Sequence, residues 1–317
     1  MKRKKVVITD FGFKNIDQET KILEGAGYQV VAAKCTSPEE VLLMAADADA
    51  LLVQWAPVNA EVISGLQNAK LIVRYGIGVD NVDLKAAKAK GIAVCNVPTY
   101  CINEVADHTM ALGLSLARQL SATRSQLEGG WKITPPAPMP AFGKMNFVVL
   151  GFGRIAREVV ARAKGFRFNL YAYDPYVSDG DMALLGVRKL NLEDAFTKAD
   201  ILSLHLPLTT ETRHIVNGDS LRSMKKTAIV LNTSRGGLID TVALAFALRS
   251  GIIAGAGLDV FEQEPLDMDH PLRSAPGAEL TSHTAWYSEA SVPALQKLAA
   301  EEVVRGLQGQ VLLNKVN

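Results

Sequence analysis

Cysteine is scarce in this chain: Cys35, Cys95 and Cys101 serve 317 positions, and no two of them stand in CxxC spacing. That argues against a disulfide framework and a cysteine-built metal site, and it predicts free thiols in a reducing cytoplasm. Long apolar runs are missing too; none approaches the roughly 20 residues that span a bilayer, so no membrane association is expected. Charge of either sign fails to dominate. With 34 Lys and Arg against 33 Asp and Glu, no global basic field favours nucleic acid or an anionic membrane. The basic start from Lys2 to Lys5 precedes an apolar run that Asp10 closes. That run is too short for the hydrophobic region of a signal peptide and is expected to be a first strand behind a solvated lead-in.

What is present suits a soluble globular protein of two ordinary domains: 48% hydrophobic and 21% charged residues in a chain too long for one small core. Short β-branched runs (Lys5–Thr9, Gln29–Ala32, Ala50–Val53, Leu71–Val73, Ile92–Val94) alternate with segments of helical spacing such as Pro38–Asp47 and Asn59–Leu66. Strands separated by helices predict parallel βαβ units. A long helix is expected over Ile102–Glu128, with Asn103 as its cap and Gly129-Gly130 as its end. The connector 131–141 holds four prolines in eleven residues, which excludes helix and central strand. A second βαβ series runs through Asn146–Leu150, Leu170–Tyr173, Ile201–Leu204, Ala228–Leu231 and Gly257–Val260. A last helix over Glu289–Leu307 has no strand partner in that series and could return to the first domain.

The second series opens on VVLGFGRIA, which places Gly151, Gly153 and Ala156 as GxGxxA between a strand and a helix. Gly151 allows the tight turn, Gly153 lets backbone approach a pyrophosphate, and Ala156 permits close helix packing. Asp174 ends the next strand, where a carboxylate accepts hydrogen bonds from ribose hydroxyls and repels the 2′-phosphate of NADP, so NAD is the expected cofactor. Arg154 can contact phosphate or simply stay solvated at the helix start.

Three polar clusters follow at the ends of later strands, where open α/β sheets place ligands. NTSRGGLID (232–240) offers Arg235 for a bidentate hold on a carboxylate. GLDVFEQEP (257–265) carries Asp259, Glu262 and Glu264. SHTAW (282–286) carries His283 and Trp286.

Together with RYGIGVDNVD (74–83) and EVADHTMA (104–111), these motifs resemble the D-isomer-specific 2-hydroxyacid dehydrogenase family, which includes phosphoglycerate dehydrogenase, over nearly the whole chain. CNVPTYC, YDPYVSDG and HTAWYSEAS most resemble its C-terminal binding protein-like branch, which holds corepressors as well as dehydrogenases. The resemblance implies an α/β chain of two doubly wound parallel-sheet domains with the active site in the cleft. Residues 1–100 and 286–317 would form a flavodoxin-like substrate domain, and 101–285 a Rossmann NAD-binding domain. It implies a cytoplasmic NAD-dependent oxidoreductase that interconverts a small D-2-hydroxy acid and its 2-oxo acid, working as a homodimer through the cofactor domain. The alternative from the same likeness is a dimeric NAD(H)-sensing binding protein.

By that resemblance Arg235 binds substrate, Glu264 supports the histidine, and His283 exchanges the proton. Cofactor contacts fall to Thr109, Gly151, Phe152, Gly153, Arg154, Ile155, Asp174, Pro207, Thr233, Ser234, Asp259 and His283, with Asp259 near the nicotinamide carboxamide. Substrate contacts fall to Arg74, Gly76, Ile77, Arg235 and Trp286. Glu262 is expected to be solvated, His108 and His205 to be structural, and His214 and His270 to have no role. No metal is expected. Arg167 replaces a glycine that often follows the fingerprint helix, so a shifted helix end is expected as an option, and Ser282 replaces proline before the histidine.

Overall fold

The computed structural model describes residues 3–317; Lys2, in the basic lead-in, lies outside the described residues. The chain divides into two compact units, one of Met1–Cys101 with Tyr287–Asn317 and one of Ile102–Trp286. In the first, strands β1 (Lys5–Ile8), β2 (Gln29–Ala32), β3 (Ala50–Val53), β4 (Leu71–Arg74) and β5 (Ala93–Cys95) alternate with helices α1 (Asp17–Gly25), α2 (Pro38–Ala45), α3 (Ala60–Gly65) and α4 (Leu84–Ala89). The sheet order is β2-β1-β3-β4-β5 with every pair parallel, the flavodoxin-like arrangement. Strand β3 is buried along its whole length, as a strand covered by helices on both faces must be, and this is why it reads as an unbroken apolar run. Caps start the helices: Ser37, Asn59 and Asp83 each accept a backbone N–H from the first turn.

The second unit begins with α5 (Ile102–Ala117) and α6 (Leu120–Glu128). Strands β6 (Asn146–Leu150), β7 (Asn169–Tyr173), β8 (Arg188–Lys189), β9 (Ile201–Leu204), β10 (Ile229–Asn232), β11 (Gly255–Leu258) and β12 (Ala278–Leu280) are joined through α7 (Arg154–Gly165), α8 (Asp179–Ala183), α9 (Leu192–Lys198), α10 (Gly218–Ser223) and α11 (Thr241–Arg249). The order is β12-β11-β10-β9-β6-β7-β8, again all parallel. Alternate residues of β6 serve opposite faces: Val148 and Leu150 join one apolar layer, Phe147 and Val149 the other. The winding reverses between β6 and β9, which puts the expected ligand crevice at their C-terminal ends. The last helix, α12 (Ser291–Leu307), packs on α1, β3 and β4 of the first unit. No helix among the described residues is long and apolar enough to cross a membrane.

Two expectations are corrected, and two strands are added. The single helix over Ile102–Glu128 is two helices, because Gln119 adopts the left-handed region at φ 51°. Its side chain is used instead to hold the proline-rich connector: Nε2 donates to the Ala137 and Pro138 carbonyls at 3.0 and 3.2 Å, and Oε1 accepts the Ala137 amide at 3.2 Å. Asn103 is no cap; it lies inside α5, and its Oδ1 accepts Arg162 Nη2 at 3.1 Å from α7. Strands β8 and β12 escape the sequence reading because both are short sheet-edge strands carrying charge, which suits an edge and hides the apolar pattern. Helix α7 stops at Gly165, and Arg167 takes the left-handed conformation at φ 65°.

Gln119→Ala should free the connector while leaving both sheets intact. Losing three exposed hydrogen bonds, each of about 0.5–1.5 kcal/mol, is expected to speed tryptic cleavage after Lys132 by about threefold to tenfold. An unchanged cleavage rate would show that the connector is held by other contacts.

Candidate active site

Gly151 takes φ +88°, and a Cβ there would lie 2.4 Å from the His205 carbonyl oxygen. The ends of β6 and β9 therefore meet closely enough that only glycine fits. A Cβ on Gly153 would instead meet nothing within 4 Å, and α7 starts beside it with no side-chain cap. The open face over Gly153, above the first-turn amides of Arg154 and Ile155, is the arrangement an anionic group requires. Ala156 is fully buried and Arg154 exposed. Phe152 contributes differently from a ligand-facing residue: its ring is buried, and its amide donates to Asp174 Oδ2 at 2.8 Å. Asp174 Oδ1 accepts the Tyr176 amide, also at 2.8 Å. Each carboxylate oxygen keeps a second lone pair for a ribose hydroxyl.

Thr109, fully buried on α5, spends its hydroxyl on the Val105 carbonyl and the Thr233 hydroxyl, both at 2.7 Å. Ser234 Oγ donates to the Leu206 carbonyl at 2.7 Å, which ties the loop after β10 to the one after β9. Pro207 lies exposed in the latter. His205 Nε2 pairs with Ser203 Oγ at 2.9 Å, and desolvation pushes its pKa down to about 3, so its imidazole stays neutral.

The chemical side chains converge at the ends of β10 and β11. A Cβ on Gly236 would overlap the Phe261 carbonyl at 1.9 Å, so the loops carrying Arg235 and Glu264 lie against each other only because residue 236 is glycine. Arg235 Nη1 donates to the Ser234 carbonyl at 2.6 Å, and Asn232 Nδ2 donates to the Arg235 carbonyl at 2.8 Å. His283 Nδ1 stands 2.6 Å from Glu264 Oε2, while Oε1 of the same carboxylate accepts the Phe261 amide at 2.9 Å. Burial acts to raise the Glu264 pKa. The bond and charge of His283, the Phe261 amide and the Arg235 charge outweigh it and hold the carboxyl below the ordinary carboxylate range.

His283 itself sits at φ 55°, in the left-handed region. Asp259, 1% exposed, anchors the surrounding loop: Oδ1 accepts the Thr281 hydroxyl at 2.6 Å and the Thr284 amide at 2.9 Å, and Oδ2 the Ala285 amide at 2.9 Å. The indole N–H of Trp286 donates to the His283 carbonyl at 2.8 Å.

Glu262 is corrected from solvated to engaged. It accepts the Thr241 amide and hydroxyl at 3.1 and 2.8 Å and lies 2.5 Å from His214 Nε2. Burial raises its pKa, but these partners prevail and lower it. His214 thereby gains a partner, and His270 Nδ1 caps a short turn by accepting the Leu272 amide at 3.2 Å.

In the first unit, Gly76 takes φ +134°, and a Cβ there would strike Arg74 Nη1 at 1.8 Å. Arg74 thus folds across a residue that must be glycine. The following loop is fixed by Val97 N–H to the Gly76 carbonyl at 2.9 Å and by Asn96 Nδ2 to the Ile77 carbonyl at 2.6 Å.

Residues 110–285 match the family model described as D-isomer specific 2-hydroxyacid dehydrogenase, NAD binding domain. The chain is 38% identical over 277 residues to a glyoxylate reductase of Korarchaeum cryptofilum, covering 86% of this chain and 83% of that one. It belongs to the D-isomer-specific 2-hydroxyacid dehydrogenase family. It is also 39% identical over 316 residues to a D-3-phosphoglycerate dehydrogenase of Methanocaldococcus jannaschii, covering 99% of this chain but 59% of that protein's length. A crystal structure of a glyoxylate reductase from Paecilomyes thermophila superposes with TM-score 0.90 at 26% identity, covering 100% of this chain and 99% of that one.

The matched family model describes an NAD binding domain, and the open face over Gly153 beside the doubly bonded Asp174 fits a dinucleotide of that kind. Two polar clusters went unanticipated. His108 Nε2 lies 2.9 Å from Thr281 Oγ1, beside Asp259; the one signal was a hydroxyl two residues ahead of His283. Tyr75, next to Gly76, donates at 3.0 Å to the buried Glu19, which also accepts Gln296 Nε2 at 2.9 Å. Burial raises the Glu19 pKa. Nothing in local sequence pairs α1 with α12.

Because the folded Glu264 pKa lies below its unfolded value, its contribution to stability is present above the ordinary carboxylate range and is lost as pH falls through the lowered pKa. Glu264→Gln should therefore unfold at lower denaturant than the parent at pH 7, and the gap should close in acid. A gap independent of pH would show that the carboxylate charge contributes nothing.

Proposed function

We propose that the chain is an NAD-dependent oxidoreductase that interconverts a small D-2-hydroxy acid and its 2-oxo acid, with His283 as proton donor and acceptor. The observation that carries this reading is the Glu264–His283 contact of 2.6 Å through Nδ1, which reserves Nε2 for substrate. What the dinucleotide supplies when bound is the hydride exchanged with C2 of the acid. As charge develops on the carbonyl oxygen, His283 Nε2 delivers the balancing proton, and Arg235 stabilises that oxygen and the neighbouring carboxylate. Glu264 fixes the imidazole tautomer and stabilises the imidazolium. Asp174 selects NAD over its 2′-phosphorylated form, and Asp259 uses its remaining Oδ2 lone pair for the carboxamide.

Residues 1–100 and 286–317 act as the substrate domain and 101–285 as the cofactor domain. Within the first, Arg74 and the amides around Gly76 and Ile77 receive the carboxylate. Arg74 and Arg235 are both assigned to carboxylate and carbonyl, which leaves no cation of this set for a phosphate dianion. Trp286 has its N–H committed to its own loop, so only the indole ring remains to wall a pocket, and an apolar or thioether side chain suits it.

Homodimerisation through the cofactor domain is supported by apolar side chains along α6 and the connector, where Trp131 is 82% and Ile133 89% exposed. The three cysteines are buried and joined in no disulfide, which suits a reducing cytoplasm.

NADH oxidation should be measured with glyoxylate, hydroxypyruvate, 4-methylthio-2-oxobutanoate and 3-phosphohydroxypyruvate. Turnover of at least one unphosphorylated acid is expected, and His283→Ala should reduce kcat by about 10²–10⁴-fold with NADH binding preserved. Tight NADH binding without turnover of any acid would refute the enzyme reading. In sedimentation the protein should run as a dimer, and Trp131→Glu with Ile133→Glu should shift it towards monomer; an unshifted dimer would place the interface elsewhere.

A further inference from the structure

His283 takes a backbone conformation that L-residues rarely adopt, at φ 55°, and something must keep it there. The loop is held from one side by Asp259. Its carbonyl accepts the His283 amide at 2.8 Å, and its carboxylate accepts the Thr284 and Ala285 amides at 2.9 Å each. With the residue 1% exposed, water does not substitute for a protein partner if the carboxylate turns.

The carboxylate orientation has a further determinant on α5. Thr281 Oγ1 donates to Asp259 Oδ1 at 2.6 Å, so the same oxygen acts as acceptor towards His108 Nε2, 2.9 Å away. A hydroxyl has one proton to give. His108 therefore carries hydrogen on Nε2, and its ring nitrogen lies 3.7 Å from Asp259 Oδ1. The carboxylate sets the direction of the hydroxyl proton, and the bond from His108 fixes the position of the hydroxyl oxygen and strengthens it as a donor. Without it the threonine side chain is held by the carboxylate alone, and the bond to Asp259 loses the support of its second partner.

We propose that His108 is a positioning residue for His283: its Nε2–H holds the Thr281 hydroxyl in place against Asp259, which in turn clamps the Thr284 and Ala285 amides and fixes the histidine's backbone. His108 touches neither substrate nor the reacting atoms in this scheme. The clamp stands on hydrogen bonds of the chain itself; only its effect on turnover rests on the proposed function.

The test compares His108→Leu and Thr281→Val, which break the link, with His108→Gln and Thr281→Ser, which can restore a donor or hydroxyl at the same place. Amide hydrogen exchange in the cofactor-free protein is the first readout. The two breaking variants should speed exchange at Thr284 and Ala285 by about tenfold, the worth of roughly one hydrogen bond, with Val148 and Val149 of β6 unchanged. They should also move the His283 Cε1–H resonance. The restoring variants should return both signals towards the parent. The second readout is kinetic: kcat should fall about tenfold in the breaking variants, as a small misplacement of a reacting group does, and recover in the restoring ones.

Unchanged exchange at Thr284 and Ala285 in both breaking variants overturns the proposal. So does equal acceleration in β6 without rescue by Gln or Ser, which would mark His108 as ordinary packing. Should the parent protein show no turnover while the exchange pattern appears as expected, the positioning role holds and the enzyme reading fails.

Discussion

Parallel strand pairing is the constraint from which the rest follows. Every neighbouring pair in both sheets runs the same way, so within each unit all strand C-termini emerge along one edge. In the second unit that edge collects Gly151 after β6, Asp174 after β7, His205 after β9, Arg235 after β10 and Asp259 after β11. No local feature of those segments draws them together; the topology does, and the winding reversal between β6 and β9 leaves space over Gly153 where backbone amides face outward. The same constraint makes the strands expensive to alter, since helices cover both faces and β9 and β10 are buried throughout.

Close approach of loops is the second level of organisation. Gly151 against the His205 carbonyl and Gly236 against the Phe261 carbonyl are contacts that a single methyl would abolish. The first closes the sheet beneath the fingerprint, and the second lets the Arg235 charge reach Glu264. A carboxylate then finishes each loop by accepting backbone amides: Asp174 for the fingerprint, Glu264 for its own turn, Asp259 for the loop of His283. Hydrogen bonds to a charged acceptor contribute about 1.5–3 kcal/mol each, enough to offset the cost of about 1–3 kcal/mol for one left-handed residue.

Much of the fold was legible because it is periodic. The β-branched runs of β1 to β5 and the apolar faces of α2 and α3 repeat at strand and helix spacing, and the glycine fingerprint announces itself between β6 and α7. What was illegible lacked a local signature. Strands β8 and β12 are short edges whose charge conceals them, and the break at Gln119 coincides with a bond to the connector some eighteen residues on. Glu262 looked solvated because its partners come from elsewhere in the chain, His214 from the stretch before α10 and Thr241 from the start of α11.

The sequence by itself determined the parallel α/β class, the dinucleotide fingerprint and the residue types available for chemistry, since each is written in spacing along the chain. Only the tertiary structure decided which of those side chains meet. It paired Glu264 with His283 at 2.6 Å, buried Phe152 beneath the fingerprint, and joined His108 to Asp259 through Thr281. Such pairings join residues distant in sequence, and their energies depend on burial and hydrogen-bond geometry that exist only once the sheet has closed.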